Sequence, residues 1–490
     1  MSSSKKIDII CVIAAIAALI LTLLFMNGEA FGIKNVIDED AEENSDSVYF
    51  TKNDMNGSWN TAVATKILLK KEKVKISGAG AVTKDNDVVI NSGGHYVLSG
   101  SLTDGSIVVD TKSSAKVWIL LDGADINCND DACIKVKNAD KVFLTLAKDS
   151  VNRLTSGETY NEETLADGTD GAIFSHDDMT INGSGSLEVT ALYKHGIAVN
   201  DALVITGGEI TVSAVSGAVH ANENLRICNA SLNLSSSGKG IVINDAEGYF
   251  YYESGRINMT VSDDGINTAG NVSMTGGEIN ISAGDDGIHS LKEILISGGK
   301  LSILRCYEGL EAPVIKISDG EVSVFPEGDG VSAKHKTIEG ETETEKIPCE
   351  FTLDGGSLTI INTDGKADGI DSDGNVTINA GVLRICLNGN GSNNAIEFDS
   401  ENGGSFFING GDILVTGGAA KAEEPSSASG QKYIFKKLRM VPAGTTITLK
   451  DADGKTISEY TPEAAFSNLL ISLPDLNGSE EFRLYIGGEI

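Results

Sequence analysis

Basic residues are scarce in this chain. Its 490 residues include 38 Lys and Arg against 70 Asp and Glu, a net charge of −32. Nucleic-acid binding needs a basic footprint, so nucleic acid is excluded as a partner. Unaided Coulomb attraction to an acidic polysaccharide is excluded on the same ground. A paired-cysteine framework is missing too. The seven cysteines are odd in number, Cys11 lies in an apolar run, and the only close pair is Cys128 and Cys133. Cys228, Cys306 and Cys386 fall in or beside apolar strands, where a thiol acts as a small apolar residue. Free thiols in an exported protein fit a reducing or anaerobic setting.

Long apolar runs are absent after residue 26. The one before it, residues 9–26, contains Thr22 as its sole polar residue and follows Lys5 and Lys6. It is just long enough to span a bilayer, and the lysines place the N-terminus inside. No A-x-A-like site follows it, and Cys11 stands at its start, which removes a lipoprotein reading. Residues 1–26 are expected to be a transmembrane signal anchor, with a cleaved signal peptide as the alternative. Both export everything after residue 30, to the outer face of the membrane or, if cleaved, into the medium. Residues 27–57, with Asp38, Glu39, Asp40, Glu42, Glu43 and Asp46, read as a solvated acidic tether.

What the chain does have is a repeat. Asp285-Asp286-Gly287-Ile288-His289-Ser290 is followed by a strand, a Gly298-Gly299 corner and a second strand. The same phrase stands upstream as Asp263-Asp264-Gly265-Ile266-Asn267. Aligned on the small residue before the aliphatic, the copies are Ala172, Gly196, Ala218, Gly240, Gly265, Gly287, Gly309, Gly330, Gly369 and Ala395. The steps are 24, 22, 22, 25, 22, 22, 21, 39 and 26 residues. Nothing in the repeats has helical spacing over a helix's length; short alternating Ile/Val/Leu/Thr runs predict strands. Gly, Asn and Asp between them supply corners with positive φ. The Leu/Asn consensus of leucine-rich repeats is missing, and a propeller blade needs about 40 residues. The expectation is an all-β chain: a right-handed parallel β-helix, about three strands per rung, rungs about 4.8 Å apart.

The expected order is N-terminal rungs and cap over 58–170, clear rungs over 171–416, a linker over 417–431 and a small β cap over 432–490. A solenoid must cover its open ends to remain monomeric, and a monomer is expected. The long step from Gly330 to Gly369 carries a Glu/Lys-dense insertion, which should leave the stack.

Several phrases carry a resemblance: Leu120-Leu121-Asp122-Gly123-Ala124-Asp125-Ile126, Lys137-Asn138-Ala139-Asp140-Lys141-Val142, Asp285-Asp286-Gly287-Ile288-His289-Ser290, Tyr307-Glu308-Gly309-Leu310-Glu311 and Leu473-Pro474-Asp475-Leu476. Over roughly residues 50–490 the chain resembles a bacterial family of extracellular carbohydrate-binding β-helix proteins, whose fold is similar to family 9 pectate lyases. That resemblance implies Ca²⁺ on the flank of the solenoid and recognition of plant cell-wall polysaccharide, cellulose and pectin among them.

The residues themselves point to a cation. Stacking puts Asp263 and Asp264 beside Asp285 and Asp286, with Glu308 and Glu311 one rung on and Asp329 after that. Like charges at that spacing repel by about 3 kcal/mol at an effective dielectric of 20. A cation between them removes the cost, and oxygen-only ligands at flexible spacing favour Ca²⁺ over Mg²⁺. Asp368, Asp371 and Asp373 make a second candidate cluster. Asp-Gly turns alone explain single acids but not doubled acids in consecutive rungs. Asp451-Ala452-Asp453-Gly454 reads as a hairpin turn, and His220 and His289, which share a repeat slot, as ladder residues. Tyr249-Phe250-Tyr251-Tyr252 is the densest aromatic run; alternation should expose at least two rings as a sugar platform, with Tyr193 and Tyr307 secondary. Bound Ca²⁺ would let an acidic polymer approach. The expected function is polysaccharide binding without cleavage. The alternatives are a calcium-dependent lyase, with Lys334 or Lys366 as base, and a structural adhesin.

Overall fold

The computed structural model describes residues 49–71, 73–335, 348–364, 368–390, 393–478 and 481–488. The expected membrane segment 1–26 and most of the tether lie outside the described residues. None of the described helices is long and apolar enough to cross a membrane. The chain divides into two units, 1–55 and 56–490. In the first, the helix Lys52–Met55 is closed by Thr51 and Asp54: the Thr51 N–H donates to Asp54 Oδ2 at 3.0 Å, and the Asp54 N–H to Thr51 Oγ1 at 3.1 Å. Each side chain meets an orphan N–H of the first turn.

The second unit is a parallel β-solenoid of about 12 turns. Two of its faces merge into a 26-stranded sheet, because several strands, such as Glu293–Cys306 and Val314–Pro326, run unbroken round the corner between them. The third face is a separate 14-stranded sheet. The repeated phrase builds that third face. Ile173, Ile197, Val219, Ile241, Ile266, Ile288, Leu310, Val331, Ile370 and Ile396 pair in unbroken register, and all are buried. All ten copies read from the sequence are therefore consecutive rungs. Val331 pairs directly with Ile370, so the insertion between them leaves the ladder intact. This ladder is one wall of a single core that runs the length of the coil.

The glycines divide into two kinds. The second glycine of the Gly-Gly corners does take positive φ, as at Gly277 (69°) and Gly299 (84°). The phrase glycines do not. There the constraint is space: a Cβ on Gly287 would lie 2.6 Å from the Gly309 carbonyl oxygen and 2.6 Å from Ile303 Cδ1. The small residue is required because the next rung's backbone passes too close for anything larger.

At the C-terminal end the pairing changes direction. Phe466–Ser472 lies antiparallel against the last rung strand, Asp412–Gly417, and Ile434–Val441 continues beyond it. A three-stranded sheet, Thr456–Tyr460, Ile447–Asp451 and Phe482–Ile486, encloses a small core of its own around Leu449 and Leu469. Asp451 to Gly454 is the expected hairpin turn, with Gly454 at φ 83° and its N–H on the Asp451 carbonyl at 3.1 Å. The six described cysteines are all free and buried; Cys11 lies outside the described residues.

Candidate functional site

Outward-pointing positions of the phrase face form two columns. The first holds the residue before the small one. Backbone N–H groups link it rung to rung, Gly265 to the Asp286 carbonyl, Gly287 to Glu308, Gly309 to Asp329 and Gly330 to Asp368. Its lower part therefore reads Asp264, Asp286, Glu308, Asp329, Asp368, Asn394. The second column holds the middle residue of each short strand. Register makes its matching part Asn267, His289, Glu311, Ser332, Asp371, Glu397. The sequence grouped Glu308 with Glu311; the strand places them in different columns, because positions three apart on an extended segment do not stack.

Hydrogen bonds tie the columns together diagonally. Lys239 Nζ pairs with Asp264 and lies 3.3 Å from Asp263 Oδ1. Asp264, buried, also accepts from Asn267 Nδ2 at 2.6 Å and from the Asp286 N–H at 3.2 Å. Burial pushes the Asp264 carboxyl up, but Lys239 and these donors outweigh it and hold the carboxyl below its ordinary value. Asn267 Nδ2 reaches His289 Nδ1 at 2.9 Å, and His289 Nε2 faces Glu311 Oε2 at 3.5 Å.

Beyond that point acids face acids. Burial, then the neighbouring Glu311 carboxyl, pushes Asp286 up to about 9. Burial, then Glu311 and Asp329, pushes Glu308 to about 7, and its buried Oε2 has no hydrogen-bond partner. Burial, with Glu397 beside it, pushes Asp368 to about 7. Burial and neighbouring carboxyls both disfavour the ionised form at these positions unless a cation lies between them. The orphaned Glu308 oxygen and the carboxylates of Asp286 and Glu311 fit a hard divalent cation, with the His289 ring beside them as a nitrogen donor. Asp286, His289 and Glu311 offer ligand atoms within 4.8 Å of one another, as do Asp263, Asp264 and Asp285. In that second group Asp285 is exposed, and Asp263 and Asp264 are already matched by Lys239.

The second candidate cluster is split. The Asp368 N–H donates to Asp329 Oδ1 at 2.8 Å, so these two do meet. Asp371 is held by Lys334 Nζ, and Asp373 is exposed on the surface. Burial lowers Lys334, but Asp371 outweighs it and raises the ammonium above its ordinary value. A lysine so paired stays protonated and is a poor general base. Lys366 lies outside the described residues.

The aromatic run is not an exposed platform. Phe250 and Tyr252 are 0% exposed, and Tyr251 is 7% exposed. Tyr249–Tyr252 is a strand of the large sheet whose inward positions fill the core, and the Tyr252 hydroxyl donates to the Glu278 carbonyl at 3.1 Å. Large rings on a narrow coil are covered by the neighbouring rungs even at outward positions. Tyr249 is half-buried and Tyr193 packs on Tyr160 at 4.6 Å, whereas Tyr307 is 55% exposed, flanking the acidic columns.

Two arrangements were not read from the sequence. Both tryptophans converge on His95: its ring stacks on Trp118 at 4.7 Å, Trp118 stacks on Phe143 at 5.3 Å, and Trp59 meets His95 edge-on at 5.4 Å. Their faces cover one another, so this is a ladder rather than a sugar platform. Asp170, His195 and His220 also converge, with His195 Nε2 3.7 Å from Asp170 Oδ2. The Gly217 N–H donates to His195 Nδ1 at 3.1 Å, which leaves the proton of the neutral ring on Nε2, facing the carboxylate rather than a metal. Burial, then His195, pulls His220 down to about 4. Column assignment would have revealed both groups; spacing along the sequence hides it.

A family profile described as "Carbohydrate-binding domain-containing protein" matches residues 84–330 and 285–454. A protein of Acetivibrio thermocellus with the same description is 38% identical over 154 residues, 31% of this chain and 54% of the relative, so the match spans about half the relative's length. The solved structure of a polysaccharide lyase-like protein from C. thermocellum, a gadolinium derivative, aligns with 49% of this chain and 100% of its own at 29% identity and a TM-score of 0.47.

Proposed function

Because the chain belongs to the carbohydrate-binding domain family, we propose that it is a calcium-dependent binder of plant cell-wall polysaccharide, of the cellulose and pectin type, that does not cleave its polymer. It would be held at the outer face of the membrane by residues 1–26, or be released if they are cleaved, and act as a monomer. We take the coil as right-handed, the hand favoured for parallel strand crossovers.

The observation that carries this reading is the approach of carboxyls across the two columns of the phrase face, at Asp286 with Glu311 and at Asp368 with Glu397. Asp286, Glu308 and Glu311 would hold one ion; Asp329 and Asp368 would contribute to another. Bound Ca²⁺ supplies positive charge on a flank that otherwise repels a uronate polymer. Tyr307, exposed beside that flank, offers a ring face to a sugar.

The test is sedimentation of the full chain with insoluble cellulose and with pectate beads, each with Ca²⁺ and with EDTA. Retention on pectate that EDTA abolishes is expected. Retention that ignores EDTA would remove the ion from binding. Retention on no polymer would overturn the reading. An unsaturated, ultraviolet-absorbing product would overturn the non-cleaving part.

A further inference from the structure

The N-terminal end of the coil has the opposite charge to the rest. The strands Thr65–Lys71 and Lys73–Ser77 form an antiparallel hairpin, and Thr65–Lys71 pairs in parallel with the following strand, Gly94–Leu102. Among the described residues Lys73–Ser77 pairs with no other strand, so it is the outermost strand of the large sheet at this end. Ile67 and Leu69 point into the core, whereas Lys66, Lys70, Lys71, Lys73 and Lys75 are all exposed. In a chain of net charge −32, five lysines over residues 66–75 are a local reversal of sign.

Elsewhere on the coil lysines are matched, Lys239 with Asp264, Lys300 with Glu321, Lys316 with Glu350 and Lys334 with Asp371. Among the described residues none of the five hairpin lysines makes an ion pair. Two acids lie close by: Glu72 between Lys71 and Lys73 in sequence, and Asp122 in a hollow shared with Lys66 and Lys75. They leave the hairpin positive. The register adds a cost, because Lys70 stands directly opposite Lys73, and like charges so opposed destabilise a sheet.

Lysine on an outermost strand keeps other strands from pairing with it. That accounts for Lys73 and Lys75. It does not account for Lys66 and Lys70, whose strand is paired on both sides. Apolar side chains are exposed at the same end. Leu68 stands between Lys66 and Lys70, Val63 precedes the hairpin at 76% exposed, and Val82 lies on Ala81–Lys84, the outermost strand of the third face. Lysines interleaved with exposed aliphatics suit an anionic bilayer, whose phosphates take the ammoniums while the aliphatics enter the headgroup layer. A soluble polyanion would leave the aliphatics in water. The acids of the phrase face do not oppose this contact. Asp264 and those after it are separated from this end by the rungs of Ile107, Ile134, Ile173, Ile197, Val219 and Ile241. Each rung adds about 4.8 Å, against a screening length of about 8 Å at physiological ionic strength.

We propose that the lysine hairpin docks the N-terminal end of the coil on a membrane surface of anionic phospholipid. The docking goes beyond the polymer-binding reading, and it fits attachment through residues 1–26 without depending on it.

The test mixes the full chain with vesicles of phosphatidylcholine alone and with vesicles of equal parts phosphatidylcholine and phosphatidylglycerol. Flotation reads attachment, and acetylation by a membrane-impermeant reagent, followed by mass spectrometry, reads each lysine. Lys436 and Lys437, exposed in the C-terminal cap, serve as the internal reference. Relative to them, the five hairpin lysines should react at least about tenfold more slowly on the anionic vesicles than on the neutral ones, and added salt should abolish the difference. Lys70→Gln with Lys73→Gln should remove most of the protection at Lys66 and Lys75 and leave the melting temperature unchanged or higher, since it removes the opposed charges. Equal rates on the two vesicles overturn the proposal. So does protection unmoved by the two substitutions, or equal protection by soluble pectate in EDTA, which would make the hairpin a polymer site. Flotation with the anionic vesicles alone removes residues 1–26 as an anchor and supports the docking; flotation with neither overturns both. Loss of the docking with EDTA-sensitive retention on pectate intact overturns this inference and not the polymer binding above.

Discussion

The phrase face has two halves on one backbone. In the N-terminal half the columns read Gly171, His195, Gly217, Lys239 and Phe174, Ala198, His220, Val242; in the C-terminal half they are almost wholly acids and amides. The inward aliphatics are the same throughout. The ladder therefore depends on the inward residue and the small residue, and the outward slots are free to carry chemistry. Function on this coil is a property of the slot column, not of the Asp-Gly-Ile phrase.

The largest expected effect tests the small residue. Gly287→Ala should destabilise the fold by about 3 kcal/mol, since the obstacle is the backbone of Gly309. The reverse change in the other half, Ala218→Gly, should cost about 1 kcal/mol. Chemical denaturation reads both, and a Gly287→Ala cost no larger than that of Ala218→Gly would remove the close approach of the Gly309 backbone as the reason for the small residue.

Next, Asp264→Ala should cost about 2 kcal/mol, because it strips a buried acceptor from Lys239, Asn267 and the Asp286 N–H. A smaller effect is expected for calcium. Asp286→Asn with Glu311→Gln should weaken Ca²⁺ binding about tenfold, near 1.4 kcal/mol. His195→Ala with His220→Ala, in the other half, should leave it unaltered. Calorimetry that finds the two pairs equivalent would dissolve the contrast between halves.

The same pair sets a pH dependence. Asp286 is raised in the fold to about 9 from an ordinary value near 4. Its contribution to stability is therefore fully present below about pH 4 and is lost as pH climbs toward 9. The calcium-free protein should melt at progressively lower temperature across that window. Added Ca²⁺, or Asp286→Asn, should flatten the slope. The smallest effect is at the surface: Tyr307→Ala should weaken polymer retention only a few-fold, about 1 kcal/mol. Full retention would move the sugar contact elsewhere.

Legibility differed by kind of residue. The ten rungs were readable because the inward aliphatic and the small residue recur whatever the outward slots carry. The carboxyl cluster was readable as a cluster but not as two columns. The tyrosine run misled because alternation marks which side of a strand a residue takes, not whether neighbouring rungs cover it. Lys334 looked available until Asp371, 37 residues on, closed on it.

The sequence by itself determined the period, the parallel stack and the acidity of one face, because each follows from residues repeating at fixed separation. The tertiary structure decided which acids face one another across the two columns, which lysines are already paired and which aromatic rings are covered. Those depend on distances between rungs, across gaps of 21 to 39 residues that vary from step to step, and only the closed coil sets them.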